Sequence, residues 1–448
     1  MELTLKLVSI LLSGGILYVG YVARKVSGTW LTPACIWCVG WFFLTFIPLL
    51  VAFSVPVNPL AILYILVMSV VFSIPVFGTK WKNIKVATHA EDSSPFDSAL
   101  LRVSFYIFAC VSAVALTVHL SIQGVTLSAL STNFFETSSA LIVDRYTEST
   151  VENIFAQISN ISTYVTVGLG GLVFPGYRTL LGKLRILSLA MAPSLALMTI
   201  AGAKGTIFLC IAIFYGGYLV RRLRAGDNRL IDIATISRAS LGFAVLLPFV
   251  TISFMSRGLY EDAAMVELSS SLYRNFVSYS SAHIYAFSDW FSWYIGFDSH
   301  VFYASDEMTG GFFTFMSLFK ALGSTKVVPP GYYDEYFQYS WFLQTNIYTI
   351  FRGLITDFSL AGSVVFMYLA GFASNLIFVS LMRNGRASWS VAFYVVFCGF
   401  VYTSFLISIL VWSSMYPTFG IIGVLLLVNN ERFARRANRQ STPAVATS

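Results

Sequence analysis

Charge is what this chain lacks. Of its 448 residues only 11% are Asp, Glu, Lys or Arg, while 57% are hydrophobic, and mean hydropathy is +0.74. A soluble domain carries about 25% charged residues. The shortage excludes a string of soluble domains and leaves a polytopic membrane protein. Cysteine is scarce as well, at five residues. Cys35, Cys38, Cys110, Cys210 and Cys398 all fall in apolar runs. Cys35 and Cys38 form a C-x-x-C, but no further Cys or His stands nearby in sequence. They read as small buried hydrophobes rather than a redox or metal pair. The phosphate-loop, zinc-protease and nucleophile-elbow patterns are missing. So is D-x-D, the carboxylate pair that holds a metal on a nucleotide-sugar donor. No cofactor and no metal is therefore expected. Neither an internal repeat nor a Gly/Ser linker is present. The apolar run Leu7 to Tyr21 ends in Arg24 and Lys25, not in a small-residue cleavage site, so no cleavable signal is expected.

What is present is a series of apolar runs of membrane length. Eleven spans are expected, at approximately 5–23, 30–53, 60–78, 102–122, 154–174, 186–202, 205–220, 239–256, 347–380, 389–410 and 413–428. The ninth is too long for one straight crossing, so Asn346 to Arg352 should lie at or beyond the interface. Twenty of the 28 Lys and Arg fall in alternate loops and the C-terminal tail, and eight fall on the other side. The basic side is cytoplasmic by the positive-inside rule. The N-terminus is then outside and the C-terminus inside. The net charge of +7 is divided among short loops and does not point to nucleic acid. The expected architecture is an all-α polytopic helical bundle in a single domain, 1–437, with a disordered tail, 438–448. The outer side carries a segment at about 121–151 and a long loop at about 257–345. Within that loop, AHIYAFSDWFSWYIGF (282–297) is expected as an amphipathic helix lying on the membrane.

The few outer cations are the candidate binding groups. Lys204 sits in a Gly-flanked turn, Arg257 where the eighth span leaves the membrane, and Arg352 where the ninth begins. Converging, they would suit one anionic head group such as a diphosphate. Acting singly, they would each reach lipid phosphates. Arg274 is a further loop candidate. A general base could be His283, Asp289 or Glu335, each set among aromatic residues. Alternatively, these charges keep an outer loop soluble. Asp357, five residues beyond Arg352, is a further substrate-binding candidate; it lies at membrane depth and points to a partner, with Arg352 nearest in sequence.

NIYTIFRGLITDFSLAGSVVF, starting at Asn346, resembles the segment N-V-Y-T-x-x-R-x-x-x-x-D-F-G-x-x-G of the Wzy-type oligosaccharide repeat-unit (O-antigen) polymerases. The entry from Leu31 to Trp37, AGAKGTIFLCI, HIYAFSDWF and GGFFTFMSLFKALG look like family segments in the same order. Lys204 stands where the family usually has Arg, and Ser359 where it has Gly. The resemblance implies a metal-independent, inverting glycosyltransferase with a membrane-glycosyltransferase bundle. It would work on undecaprenyl-diphosphate-linked oligosaccharide at the periplasmic face of the bacterial inner membrane, making O-antigen or a similar surface polysaccharide of the lipopolysaccharide pathway. It implies Arg352, Lys204 and Arg257 on the diphosphate, with Asn346 and Tyr348 holding sugars or the carrier head. A chain-length regulator and a flippase of the same pathway are implied partners, besides the lipid bilayer. A related ligase, or a flippase or transporter of lipid-linked glycans, remains the alternative.

Overall fold

The computed structural model describes residues 2–441, except 85, 88–93, 147–150, 152, 257–264, 305–306 and 327–332. The elements are α1 (Glu2–Ser27), α2 (Pro33–Val51), α3 (Pro59–Phe77), α4 (Ala99–Ile122), α5 (Leu127–Thr132), α6 (Phe134–Tyr146), α7 (Ile154–Val173) and α8 (Leu180–Ile200). They continue with α9 (Lys204–Arg224), α10 (Ile233–Met255), α11 (Met265–Tyr294), α12 (Phe312–Ala321), α13 (Thr349–Arg383), α14 (Ser388–Thr403) and α15 (Met415–Ser441). A small antiparallel hairpin, β1 (Phe337–Tyr339) and β2 (Leu343–Thr345), stands between α12 and α13, with Phe337 opposite Thr345.

Among the described residues, eight helices, α1 to α4, α8 to α10 and α13, are long and apolar enough to cross a membrane. The chain is an all-α polytopic membrane protein. The other three expected spans coincide with α7, α14 and α15, and each falls short for a visible reason. Helix α7 is buried on all sides from Ser162 to Val173, so it can carry Ser and Thr without facing lipid. Ser112 and Thr163 join their hydroxyls at 2.5 Å across α4 and α7. Helix α14 has only 16 residues. Helix α15 turns polar after Val428. Helices α7 and α9 cross closely because the contact is glycine: a Cβ on Gly171 would stand 2.0 Å from the Phe214 carbonyl oxygen.

The basic connections touch one another. Trp30 N donates to Asn228 O at 3.2 Å, Ala87 N to Met382 O at 2.8 Å, and Arg224 Nη2 to Asn384 O at 2.6 Å. Arg221 pairs with Asp97 at 3.0 Å, and Asn429 Nδ2 reaches Pro95 O at 2.8 Å. These loops form one end of the bundle.

Helix α11 corrects an expectation. Residues 282–292 do not lie on the membrane surface; all of them are buried, against α2, α3 and α13. Their polar groups, which gave the segment its amphipathic look, are paired across helices. Ser288 Oγ accepts from Asn58 N at 2.8 Å, and Ser292 Oγ from Asn58 Nδ2 at 2.9 Å. Tyr285 Oη donates to Ala52 O at 2.7 Å, at the end of α2.

Helix α13 is broken at Ser359 (φ 64°, ψ 177°). That region is essentially reserved for glycine and costs another residue about 1–3 kcal/mol. The break frees the carbonyls of Thr356 and Asp357, which accept instead from Thr309 N and Gly310 N, each at 3.2 Å. It separates a buried first limb, Thr349 to Asp357, from the long apolar second limb. Ser359→Gly should therefore raise thermal stability by about 1 kcal/mol. A lower unfolding temperature for the purified variant would contradict this conformation.

Candidate functional site

The site is built at the end of α13 opposite Arg383, from the first limb of α13, the last turns of α11 and the irregular segments 298–304 and 333–336. Arg352 is 1% exposed. Its guanidinium carbon lies 3.9 Å from the ring centre of Tyr333, 4.3 Å from Tyr348, 5.4 Å from Trp290 and 5.5 Å from Tyr303. Rings substitute for water around a buried cation because their faces are negative. Arg352 Nη2 also donates to Glu335 Oε2 at 2.9 Å. Tyr348 Oη donates to the Glu335 carbonyl at 3.0 Å.

Asp289, near the end of α11, collects four donors. They are His300 N at 2.7 Å, His300 Nδ1 at 2.8 Å, Val301 N at 3.2 Å and Tyr303 Oη at 2.9 Å. The carboxylate clamps the loop after α11 and fixes the Nδ1–H tautomer of His300, leaving the lone pair on Nε2. The His300 side chain is 53% exposed while that of Asp289 is 5%. Tyr303 joins the two halves of the site, with its hydroxyl on Asp289 and its ring beside Arg352. Burial pushes both the Tyr303 and Tyr348 phenols up, Tyr348 to about 12, so both stay protonated as donors at neutral pH. The arrangement sets a buried cation, an acid-oriented imidazole and several hydroxyls around one end of the bundle.

The candidates from sequence divide. Arg352, Glu335, Tyr348 and Asp289 come together, and half-buried Asn346 lies two residues before Tyr348. Asp289 is not placed as a free base, since its oxygens are occupied by the four donors. Four others lie elsewhere.

His283 is 3% exposed and lies at mid-helix depth, with Nε2 2.9 Å from the Leu44 carbonyl. Pro48 sits four residues after Leu44 and has no N–H to give it. His283 supplies the missing donor, which removes it from the chemistry.

Lys204 Nζ donates to Ser253 O at 3.1 Å, near the end of α10, against the rings of Phe254 and Tyr279. Tyr279 and Trp290 mark the Lys204 and Arg352 neighbourhoods on α11, and eleven residues of helix separate them by ~16 Å. The two cations do not converge. Arg274 is exposed on α11, farther from Trp290 than Tyr279 is. Arg257 lies outside the described residues.

Asp357 does not pair with Arg352, because five residues of helix turn it about 140° away. It accepts from the Thr309 hydroxyl, Phe313 N at 3.0 Å, Thr314 N at 2.7 Å and Thr314 Oγ1 at 2.6 Å. Helix α12 starts at Gly311, which has no capping side chain and a φ of 109° that glycine tolerates. Asp357 provides that cap from across space. Its role is structural, not substrate binding.

Reasoning from sequence missed His300, Tyr303, Tyr333 and Trp290. Only the pairing of Asp289 with a His eleven positions on could have signalled the first, and no periodicity marks that spacing. Compared with protein-family models, curated proteins and solved structures, the chain matches none.

Proposed function

We propose that this protein is a glycosyltransferase that polymerises undecaprenyl-diphosphate-linked oligosaccharide repeat units at the periplasmic face of a bacterial inner membrane. The observation that carries the reading is the buried, ring-enclosed Arg352 beside the Asp289–His300 pair. In the step, an acceptor sugar hydroxyl attacks the anomeric carbon of the growing glycan, and its proton passes to His300 Nε2. The bond from that carbon to the carrier diphosphate breaks with inversion. Arg352 meets the charge that builds on the leaving diphosphate. Asp289 holds His300 in the basic tautomer and stabilises the imidazolium. No metal enters this step. The long outer loop supplies the glycan-facing walls, with Asn346 and Tyr348 at its end.

Eleven crossings are proposed, with the N-terminus periplasmic and the C-terminus cytoplasmic. The meeting of the basic loops at one end supports this, with Arg383 there and Arg352 at the other end of α13. A flippase of lipid-linked glycans is the second reading, favoured by the break in α13, since broken helices are common in transporters.

His300→Ala should lower transfer about 100-fold without lowering membrane levels. Transfer at the wild-type rate would remove His300 from the chemistry. The reading as a whole is tested on surface glycan from a deletion strain. Single-repeat glycan in place of a ladder supports a polymerase. Full-length polymer left on its carrier indicates a ligase. Absence of all surface glycan indicates the flippase.

A further inference from the structure

Three carboxylates at or near the site, Asp289, Asp357 and Glu335, are held very differently. Asp289 and Asp357 each collect four donors. The Glu335 side chain is bound through Arg352 Nη2. That side chain is 19% exposed against 1% for Arg352, so Glu335 is the solvent-side member of the pair. An anion approaching the guanidinium along this path meets Glu335 first.

The surroundings of the pair are fixed. Tyr333 stacks on Phe313 with ring centres 5.2 Å apart. The hairpin that follows Glu335 is anchored to α11, where Ser278 Oγ accepts from Gln344 N at 3.0 Å and donates to Phe342 O at 3.3 Å. The Glu335 side chain can therefore swing into water while the ring enclosure stays in place. Asp334 next to it already points out, and is exposed.

We propose that Glu335 is an internal stand-in for the ligand's anionic group. It occupies the Arg352 guanidinium in the resting protein and leaves when a diphosphate binds. The exchange replaces one charge-assisted hydrogen bond by another, so Arg352 is never left as an unpaired buried charge. It also makes the empty site self-closed: affinity is reduced by the fraction of molecules in which Glu335 is bound. This inference rests on the reading that Arg352 receives the diphosphate.

The test is binding of inorganic diphosphate and of a short prenyl diphosphate to the full chain in phosphatidylcholine nanodiscs. Glu335→Gln, which keeps the shape but drops the charge, should tighten both about 10-fold. Glu335→Asp, with shorter reach, should tighten them less. Arg352→Gln should abolish both. Unchanged or weaker binding by Glu335→Gln, with Arg352→Gln still inactive in binding, overturns the stand-in role alone. Wild-type binding by Arg352→Gln overturns the diphosphate site itself. A prenyl diphosphate that binds far tighter than the inorganic one identifies a lipid head group as the natural source. Equal affinity identifies the free anion.

Discussion

Arg352→Gln should lower the proposed repeat-unit transfer by at least about 100-fold, in a protein that still inserts and folds. The size follows from its place. A preorganised donor aimed at developing charge in a water-poor site is worth about 10²–10³ in rate. The four rings around Arg352 hold it without solvent, so little reorganisation is needed when charge builds on a leaving diphosphate. The variant should fold because Glu335, already partly exposed, can turn to water and leaves no stranded buried charge. Arg352→Lys should be intermediate, since an ammonium keeps the charge but loses the planar fork. The check is the length distribution of glycan made per unit of membrane protein, with variant and wild-type levels matched. A normal ladder from Arg352→Gln would take Arg352 out of the reaction.

The second large effect is on stability and concerns the other charge of the same segment. Asp357→Ala uncaps α12, strips four donors of their acceptor and leaves the half-buried N–H of Phe313 and the buried N–H of Thr314 without a partner. Individual hydrogen bonds to a charged group contribute about 1.5–3 kcal/mol and are not additive, and a buried donor left unsatisfied costs about 1–3 kcal/mol, so the loss should be about 3–5 kcal/mol. Asp357→Asn should lose less, because one amide oxygen still accepts while the amide nitrogen opposes a donor. Thermal unfolding of purified protein in detergent reads both. An unchanged unfolding temperature with lost transfer would move Asp357 from structure into chemistry.

These two residues show what the sequence carried. The apolar runs gave the helices, because membrane length and apolarity are written locally. The excess length of the ninth run pointed to an interfacial start at Asn346 to Arg352, and the break at Ser359 was not foreseen. Arg352 stood out as a charge where charge is rare. Partners were not legible, because they are set by contacts between distant segments. Nothing local links His283 to the carbonyl that Pro48 leaves open on α2, or Asp357 to a glycine cap 46 residues earlier. Helix α11 looked like a surface helix because it carries His283, Ser288 and Asp289, and their pairing with Leu44 O, Asn58 N and His300 is what permits burial. His300 was invisible for the same reason: its meaning comes from the turn that folds it back onto Asp289.

The most direct measurement uses purified protein in liposomes supplied with undecaprenyl-diphosphate-linked repeat units as the only glycan. Polymerisation predicts lipid-linked glycans lengthened by whole repeats, with one undecaprenyl diphosphate released per bond formed, and neither product from Arg352→Gln. Movement of the lipid-linked unit across the bilayer with no lengthening and no released carrier would contradict glycosyl transfer and leave the flippase reading.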